Sequence, residues 1–422
     1  MSEAAEAPTA PAAVGRRRRL RPALALFGPA FVASVAYVDP GNFATNFSAG
    51  AGYEYQLLWV VVLANLMAML VQYLSAKVGI ATGRSLPELC RNRFGRRTNI
   101  VLWIQAEIVA MATDLAEFVG AAVGLNLIFG MPLFPAGVVT AVVAFGILAL
   151  DRRSYRRFEI AVIALLGLVA AGFFYVLIAV GNQDYAGLGR GLVPDLSGPD
   201  ALSLAVGIVG ATVMPHVVYL HSALHHSRMR SASTGQRRRM LFVNRWDTIA
   251  GLGVAGLVNL TMLCIAAALL YRPGSPATAD LDSIHAQLAT LVGGGAALAF
   301  GIALLASGFS SSSVGTYAGQ IVMAGFINRR IPIVVRRALT VLPSLVVLAL
   351  AVNPSRTLVY SQIVLSFGIP FALVPLVIVT RDRRIMKDMV NRRSTTGLLV
   401  GIAVLISTLN AYLLFDATRS LL

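Results

Sequence analysis

Charge is scarce in this sequence. Only 13% of its 422 residues are Asp, Glu, Lys or Arg, against roughly 25% in soluble globular domains. Acids are the rarer sign, 19 Asp and Glu against 35 Lys and Arg. A chain so poor in charge and 57% hydrophobic has no ordinary water-facing surface, which excludes a soluble enzyme or binding module. Cysteine is nearly absent. Cys90 and Cys264 lie in different segments, too few and too far apart for a disulfide framework or a zinc finger. There is no His-Glu-x-x-His helix and no phosphate-binding loop, so the sequence offers neither a zinc-hydrolase motif nor an ATP-driven motor. A membrane-embedded metalloenzyme would want three fixed ligands and an open water position. No such set is visible, and no residue is read as catalytic or as binding a cofactor.

What is present is long apolar runs. Roughly 20 apolar residues make one bilayer crossing. The sequence predicts about eleven crossings, near 24–50, 55–81, 100–129, 132–150, 158–181, 201–224, 248–271, 287–324, 332–352, 357–380 and 396–416. The fold class expected is all-α and polytopic, with the lipid bilayer as its solvent. With the N-terminus inside, all but Arg190, Arg272, Arg356 and Arg419 of the 35 basic residues fall on the cytoplasmic side. That asymmetry sets orientation: N-terminus cytoplasmic, C-terminus outside. The net charge of +16 is therefore topogenic, with anionic lipid a modest extra contact and nucleic acid no partner. No obligate protein partner is evident. Residues 1–23, Ala- and Pro-rich and then basic at Arg16–Arg19, read as a disordered cytoplasmic tail. Cleavage of this region as a signal peptide would discard half of the first span.

Two spans are interrupted. Asp39-Pro40-Gly41-Asn42 lies inside the first and Ala211-Thr212-Val213-Met214-Pro215-His216 inside the sixth. Proline has no N–H and frees carbonyls upstream of itself, and free carbonyls at membrane depth survive only inside protein or at a wet cavity. A carboxylate and an amide in mid-membrane mark a site more often than surface. Asp39 and Asn42, three apart, can point into one hole if a helical turn remains. Broken spans in corresponding positions of two halves point to a transporter site between inverted repeats. The residue types suggest a cation: carboxylate, amide and carbonyl oxygens are hard ligands, whereas the Met214 thioether favours softer divalent ions.

The two motifs together, at this spacing, resemble the Nramp divalent metal transporters, and the resemblance runs from about Ala23 to about Leu414. It implies a LeuT-type five-plus-five inverted repeat with broken helices 1 and 6: spans 1–5 over 24–181, spans 6–10 over 201–380, and an additional span at 396–416. It implies proton-coupled import of Mn²⁺, with Fe²⁺ tolerated, across the cytoplasmic membrane by alternating access. Metal and proton are then cargo, and no cofactor is expected. The implied metal ligands are Asp39, Asn42, the Ala211 carbonyl and Met214, with Gln362 lending its amide oxygen in some states. Two rivals share the fold. A Mg²⁺ carrier would want oxygens rather than the sulfur of Met214, and an amino-acid symporter would find Asp39 repelling its substrate's carboxylate.

Span 3 carries Glu107, Asp114 and Glu117 within an arc of roughly 80°, at 100° per residue. Three acids on one membrane face read as a proton path; the plainer alternative is pairing with buried arginine. Under the resemblance, protons pass from Asp39 by way of His216, Glu117, Asp114 and Glu107, with Arg337 a partner. His216 and His221 are further titrating candidates, since imidazole changes charge near neutral pH. His221 and His225 are four apart, a spacing that can hold a metal, but His225 and His226 stand beside Arg228 and Arg230 and read as surface histidines. Arg336 and Arg337 either snorkel to the interface or meet the span 3 acids. Gln72 reads as a helix–helix hydrogen bond, Asn259 as a packing amide, and Ser307–Ser313 as a close-packing stripe. The stretches 82–98 and 231–245 read as basic linkers.

Overall fold

The computed structural model describes residues 28–419, apart from 152–154, 182, 199, 226–228, 230–231, 273–278 and 330. The expected tail at 1–23 and His226 lie outside the described residues, which form helices and connections with no strand. Seven continuous helices, and the split stretch Ala201–Leu224 taken as one span, are each long and apolar enough to cross a membrane. The other three predicted crossings are built differently. The first is α1 (Pro29–Val35), one 3₁₀ turn to Val38, and α2 (Pro40–Tyr53). The next helices are α3 (Leu58–Thr82), α4 (Leu86–Arg93), α5 (Arg96–Phe129), α6 (Leu133–Asp151) and α7 (Tyr155–Val180), of which α6 is the fourth crossing. After a short helix, the sixth crossing is again split, into α8 (Ala201–Thr212) and α9 (Pro215–Leu224). Then come α10 (Thr234–Leu270), α11 (Leu281–Leu291), α12 (Gly294–Ile327), α13 (Ile333–Ala349), α14 (Pro354–Thr380) and α15 (Arg393–Arg419). The ninth crossing is α13.

Several boundaries differ from the sequence reading, and capping explains why. The stretch 231–245 is not a linker: α10 starts at Thr234, nucleated by a capping box in which Ser233 and Gln236 satisfy each other's backbone N–H. Such a box satisfies two of a helix's orphan donors, so the helix runs on past the membrane through its basic turn. Likewise Ser85 and Glu88 box the start of α4 inside the stretch read as the 82–98 linker. The predicted crossing at 287–324 is two helices, parted at Gly293, whose φ of 123° suits glycine alone.

The core converges on the two splits. α5 passes behind the first so closely that a Cβ on Gly120 would sit 2.1 Å from Pro40 Cβ. Phe43 and Phe47 of α2 interlock edge-to-face with Phe173 of α7 and Phe300 of α12, at centroid separations of 5.0 Å and 5.3 Å. The N-terminus of α1 is held from α10: the backbone N–H groups of Gly28 and Ala30 donate to the buried Asp247 carboxylate. Gly120→Val should therefore unseat α5 from Pro40 and lower stability by about 1–3 kcal/mol, the usual cost of overpacking. Thermal unfolding of the purified protein reads this, and an unshifted midpoint would contradict the contact.

Candidate functional site

Both splits follow one local grammar. A residue before proline is pushed to extended backbone, and proline at the first helical position gives up an N–H that was orphaned anyway. Asp39 (φ −92°, ψ 168°) precedes Pro40, and Met214 (φ −68°, ψ 115°) precedes Pro215. Asp39 is the N-cap of α2. Its Oδ1 accepts from the backbone N–H of Asn42 at 2.8 Å and from Asn42 Nδ2 at 2.7 Å. Asn42 Nδ2 also donates to the Ala211 carbonyl, 3.2 Å away, so one side chain ties the two broken crossings together. Gln362 of α14 lies over this junction, its Nε2 1.9 Å from where a Cβ on Gly41 would be. The structure thus brings Asp39, Asn42, Ala211 and Gln362 together, and Met214, fully buried, sits in the same break as Ala211.

The carbonyls freed by Pro40 are answered from neighbouring helices. Tyr37 O accepts from Asn259 Nδ2 at 3.0 Å, and Val38 O from Ser307 Oγ at 2.5 Å. Three acceptors at the junction are not answered. Asp39 Oδ2, Asn42 Oδ1 and Gln362 Oε1 are buried without a hydrogen-bond partner. An unsatisfied buried polar group costs about 1–3 kcal/mol, so three of them at one place mark a site made for a donor or cation that the protein does not itself supply. Among the described residues no three His, Cys, Asp or Glu side chains cluster as a metal centre. The junction instead offers one carboxylate, two amides, a carbonyl and a thioether.

The span 3 acids form a row leading from the junction. Glu117 stands within electrostatic reach of both Asp39 and Asp114. Its two carboxylate oxygens and Asp114 Oδ1 all lie 3.2–3.5 Å from where a Cβ on Gly315 would sit, so the two acids share the bare backbone of α12. Asp114 accepts from Arg337 at 3.0 Å. That guanidinium also donates to the hydroxyls of Thr316 and Ser312 and lies 4.8 Å from the Phe118 ring centre. Glu107 pairs with Arg336 at 2.7 Å and accepts from Trp103 Nε1. Snorkelling of these arginines is therefore overturned: Arg336 and Arg337 are 5% and 2% exposed. A planar fork of five donors answers buried carboxylates, and removing one partner of such a pair costs about 3–5 kcal/mol. Two of the three acids are thus paired, whereas Glu117 makes no ion pair with a described residue and its Oε2 has no partner.

The histidines divide. His216 joins the acid side, its Nδ1 3.4 Å from Thr113 Oγ1 on α5. His221 belongs to a different network, meeting Gln72 Oε1 at 3.0 Å, while Gln72 Nε2 donates to the Tyr37 hydroxyl at 2.5 Å. That chain ties α3 to the inner parts of both split crossings, and it bears out Gln72 as a helix–helix hydrogen bond. His225 is not a surface histidine: it is 1% exposed and meets Asn244 Oδ1 of α10 at 3.1 Å. The sequence marks Asn259 and Ser307 only as packing residues and does not single out Tyr37. The only sequence signal for them was a polar group in an apolar run, which packing explains equally well.

Residues 30–416 match the family model described as natural resistance-associated macrophage protein-like. The chain belongs to the Nramp family. It is 49% identical over 399 residues to the divalent metal cation transporter MntH of Deinococcus radiodurans, covering 94% of this chain and 91% of that protein. It is 47% identical over 406 residues to the MntH of Bacillus subtilis, covering 96% and 95%. Among solved structures it is similar to the Eremococcus coleocola manganese transporter in complex with an aromatic bis-isothiourea substituted compound. There the TM-score is 0.81 and the identity 30%, over 92% of this chain and 85% of that one. A nucleobase-cation-symport-1 transporter, Mhp1, shares the fold at TM-score 0.61 and 16% identity, over 85% of this chain and 79% of that one. The Nramp chain is thus an all-α, multi-pass membrane protein of LeuT-like fold, and a transporter rather than an enzyme.

Proposed function

We propose that this Nramp-family chain is a proton-coupled secondary transporter that moves divalent transition metal ions, Mn²⁺ with Fe²⁺ tolerated, into the cytoplasm by alternating access. The observation that carries this reading is the convergence of three unanswered oxygens, Asp39 Oδ2, Asn42 Oδ1 and Gln362 Oε1, on the place where two split crossings meet. The ligand set is Asp39, Asn42, the Ala211 carbonyl and Met214, with Gln362 joining as α14 moves against α2. Turning the Asn42 amide about its last torsion exchanges Nδ2 for Oδ1, which frees the Ala211 carbonyl for the ion. The sulfur of Met214 favours a later divalent ion over Mg²⁺ or Ca²⁺, which take oxygen. Ligands bind metal deprotonated, so a proton on Asp39 and a metal beside it compete.

The proton leaves along Glu117, Asp114 and Glu107. Arg337 holds Asp114 and His216 flanks the row, while His221 acts through the Tyr37–Gln72 chain rather than the acids. Residues 24–181 and 201–380 are the two inverted halves, and the span at 396–416 lies outside them. The basic loops keep the N-terminus cytoplasmic and the C-terminus outside. The membrane potential then assists entry by about 2.3 kcal/mol per charge per 100 mV.

Uptake into proteoliposomes tests the reading. Mn²⁺ should enter in the presence of excess Ca²⁺ and Mg²⁺, Fe²⁺ should compete, and an internal pH dye should report acidification with metal entry. Equal competition by Mg²⁺, or no metal entry, would remove it. Glu117→Gln should cut metal-linked acidification by about tenfold or more, equivalent to 1.4 kcal/mol or more, while metal affinity stays within about twofold. Wild-type proton movement in this variant would return Glu117 to a structural role.

A further inference from the structure

An apolar crevice of about 300 Å³ between α5 and α14 belongs neither to the junction nor to the acid row. Its walls are Val101, Ile104 and Ile108 on one side and Val364 and Phe371 on the other. These side chains are 40–55% exposed, so the slot opens outward along the membrane-facing surface. Its floor is Gly368, and a Cβ there would lie 3.2 Å from Pro215 Cγ, the proline of the second split.

One end of the slot is cationic. Positions three and four apart share a helix face, so Arg97 stands one turn beyond Val101 on the crevice side of α5. From Arg97 to Ile108 is about 16 Å at 1.5 Å per residue, close to half of a ~30 Å hydrocarbon core. The slot itself, Val101 to Ile108, takes up about 10 Å of this, so slot and arginine together span the depth of one leaflet. Asp382, just past the end of α14, pairs with Arg93 at 2.7 Å, which brings Arg381 and Arg384 to the same corner. Asp382 is itself engaged: the Arg384 backbone N–H, followed by Arg93, holds its carboxyl below its usual range. Arg96, Arg97, Arg381 and Arg384 are exposed, and none makes an ion pair with a described residue.

We propose that this crevice holds one anionic phospholipid of the cytoplasmic leaflet, its acyl chain along the α5–α14 slot and its phosphate at Arg97 and Arg381. The leaflet, though not the site, rests on the orientation proposed above. A slot that spans one leaflet together with its arginine, open to hydrocarbon and cationic at one end, is complementary to a molecule with an anionic head and an apolar tail. A soluble anion would leave the slot unused, and a zwitterionic lipid would forgo the charge. Because the floor touches Pro215, the lipid's tail braces the start of α9.

Lipid retention by the purified protein in detergent tests this without any metal present, so its outcome is separate from that of the transport assay. Native mass spectrometry should show phosphatidylglycerol retained in preference to phosphatidylcholine. The pair Arg97→Gln and Arg381→Gln should lower that preference by roughly fivefold per arginine. Ile104→Trp, which narrows the slot and keeps every charge, should lower phosphatidylglycerol retention as well. Equal retention of the two lipids by the unmodified protein, or wild-type retention in both variants, would overturn the proposal.

Discussion

Asp39→Ala should reduce Mn²⁺ uptake to background, a loss of at least about a hundredfold, or roughly 2.8 kcal/mol. Among the described residues, Asp39 contributes the only carboxylate that touches Asn42 and, through it, reaches the Ala211 carbonyl. Removing it leaves the junction with neutral ligands for a doubly charged ion. The substitution also removes the N-cap of α2, worth about 1 kcal/mol, so lost transport alone would not separate chemistry from folding. Asp39→Asn does: asparagine caps a helix as well as aspartate does, yet carries no charge. Initial-rate uptake into proteoliposomes should be lost in both variants. Wild-type rates in Asp39→Asn would remove Asp39 from the proposed metal site.

Met214→Ala should erase selectivity rather than transport. The thioether is the one soft group in the proposed set, and oxygen sites alone do not disfavour Ca²⁺ or Mg²⁺. Mn²⁺ discrimination over Ca²⁺ is expected to fall by about tenfold, equivalent to 1.4 kcal/mol of preference. Truncating a fully buried methionine also opens a cavity costing about 2–5 kcal/mol. Met214→Leu therefore serves as the partner variant, since it keeps the volume and discards the sulfur. Competition assays with both should agree. Unchanged selectivity in Met214→Leu would show that the sulfur is no ligand.

The splits themselves were legible because their grammar is local: proline after Asp39 and after Met214 dictates extended backbone and a fresh helix start in the folded chain. Charge alternation marked the crossings, because basic residues cluster where helices leave the membrane. Two misses share one cause. The stretch 231–245 read as linker because it is basic, yet its capping box at Ser233 starts α10 early. That hidden first part of α10 carries Asn244, the partner that buries His225. With the helix unseen, a histidine beside arginines could only look exposed. The pairing of Arg336 with Glu107 and of Arg337 with Asp114 spans more than 220 residues, and helical periodicity places residues on faces without saying which faces meet. The Tyr37–Gln72–His221 chain was illegible as a chain for the same reason, although Gln72 alone was readable as a polar link.

Anomalous diffraction from crystals soaked in Mn²⁺, recorded at the manganese edge, tests the shared site most directly. A single dominant peak should lie about 2.0–2.3 Å from an Asp39 oxygen, the range for carboxylate–metal bonds, with Met214 sulfur in the same coordination sphere. A dominant peak elsewhere in the chain, or one that touches Asp39 while Met214 points away from it, would contradict the claim that both split helices hold the ion.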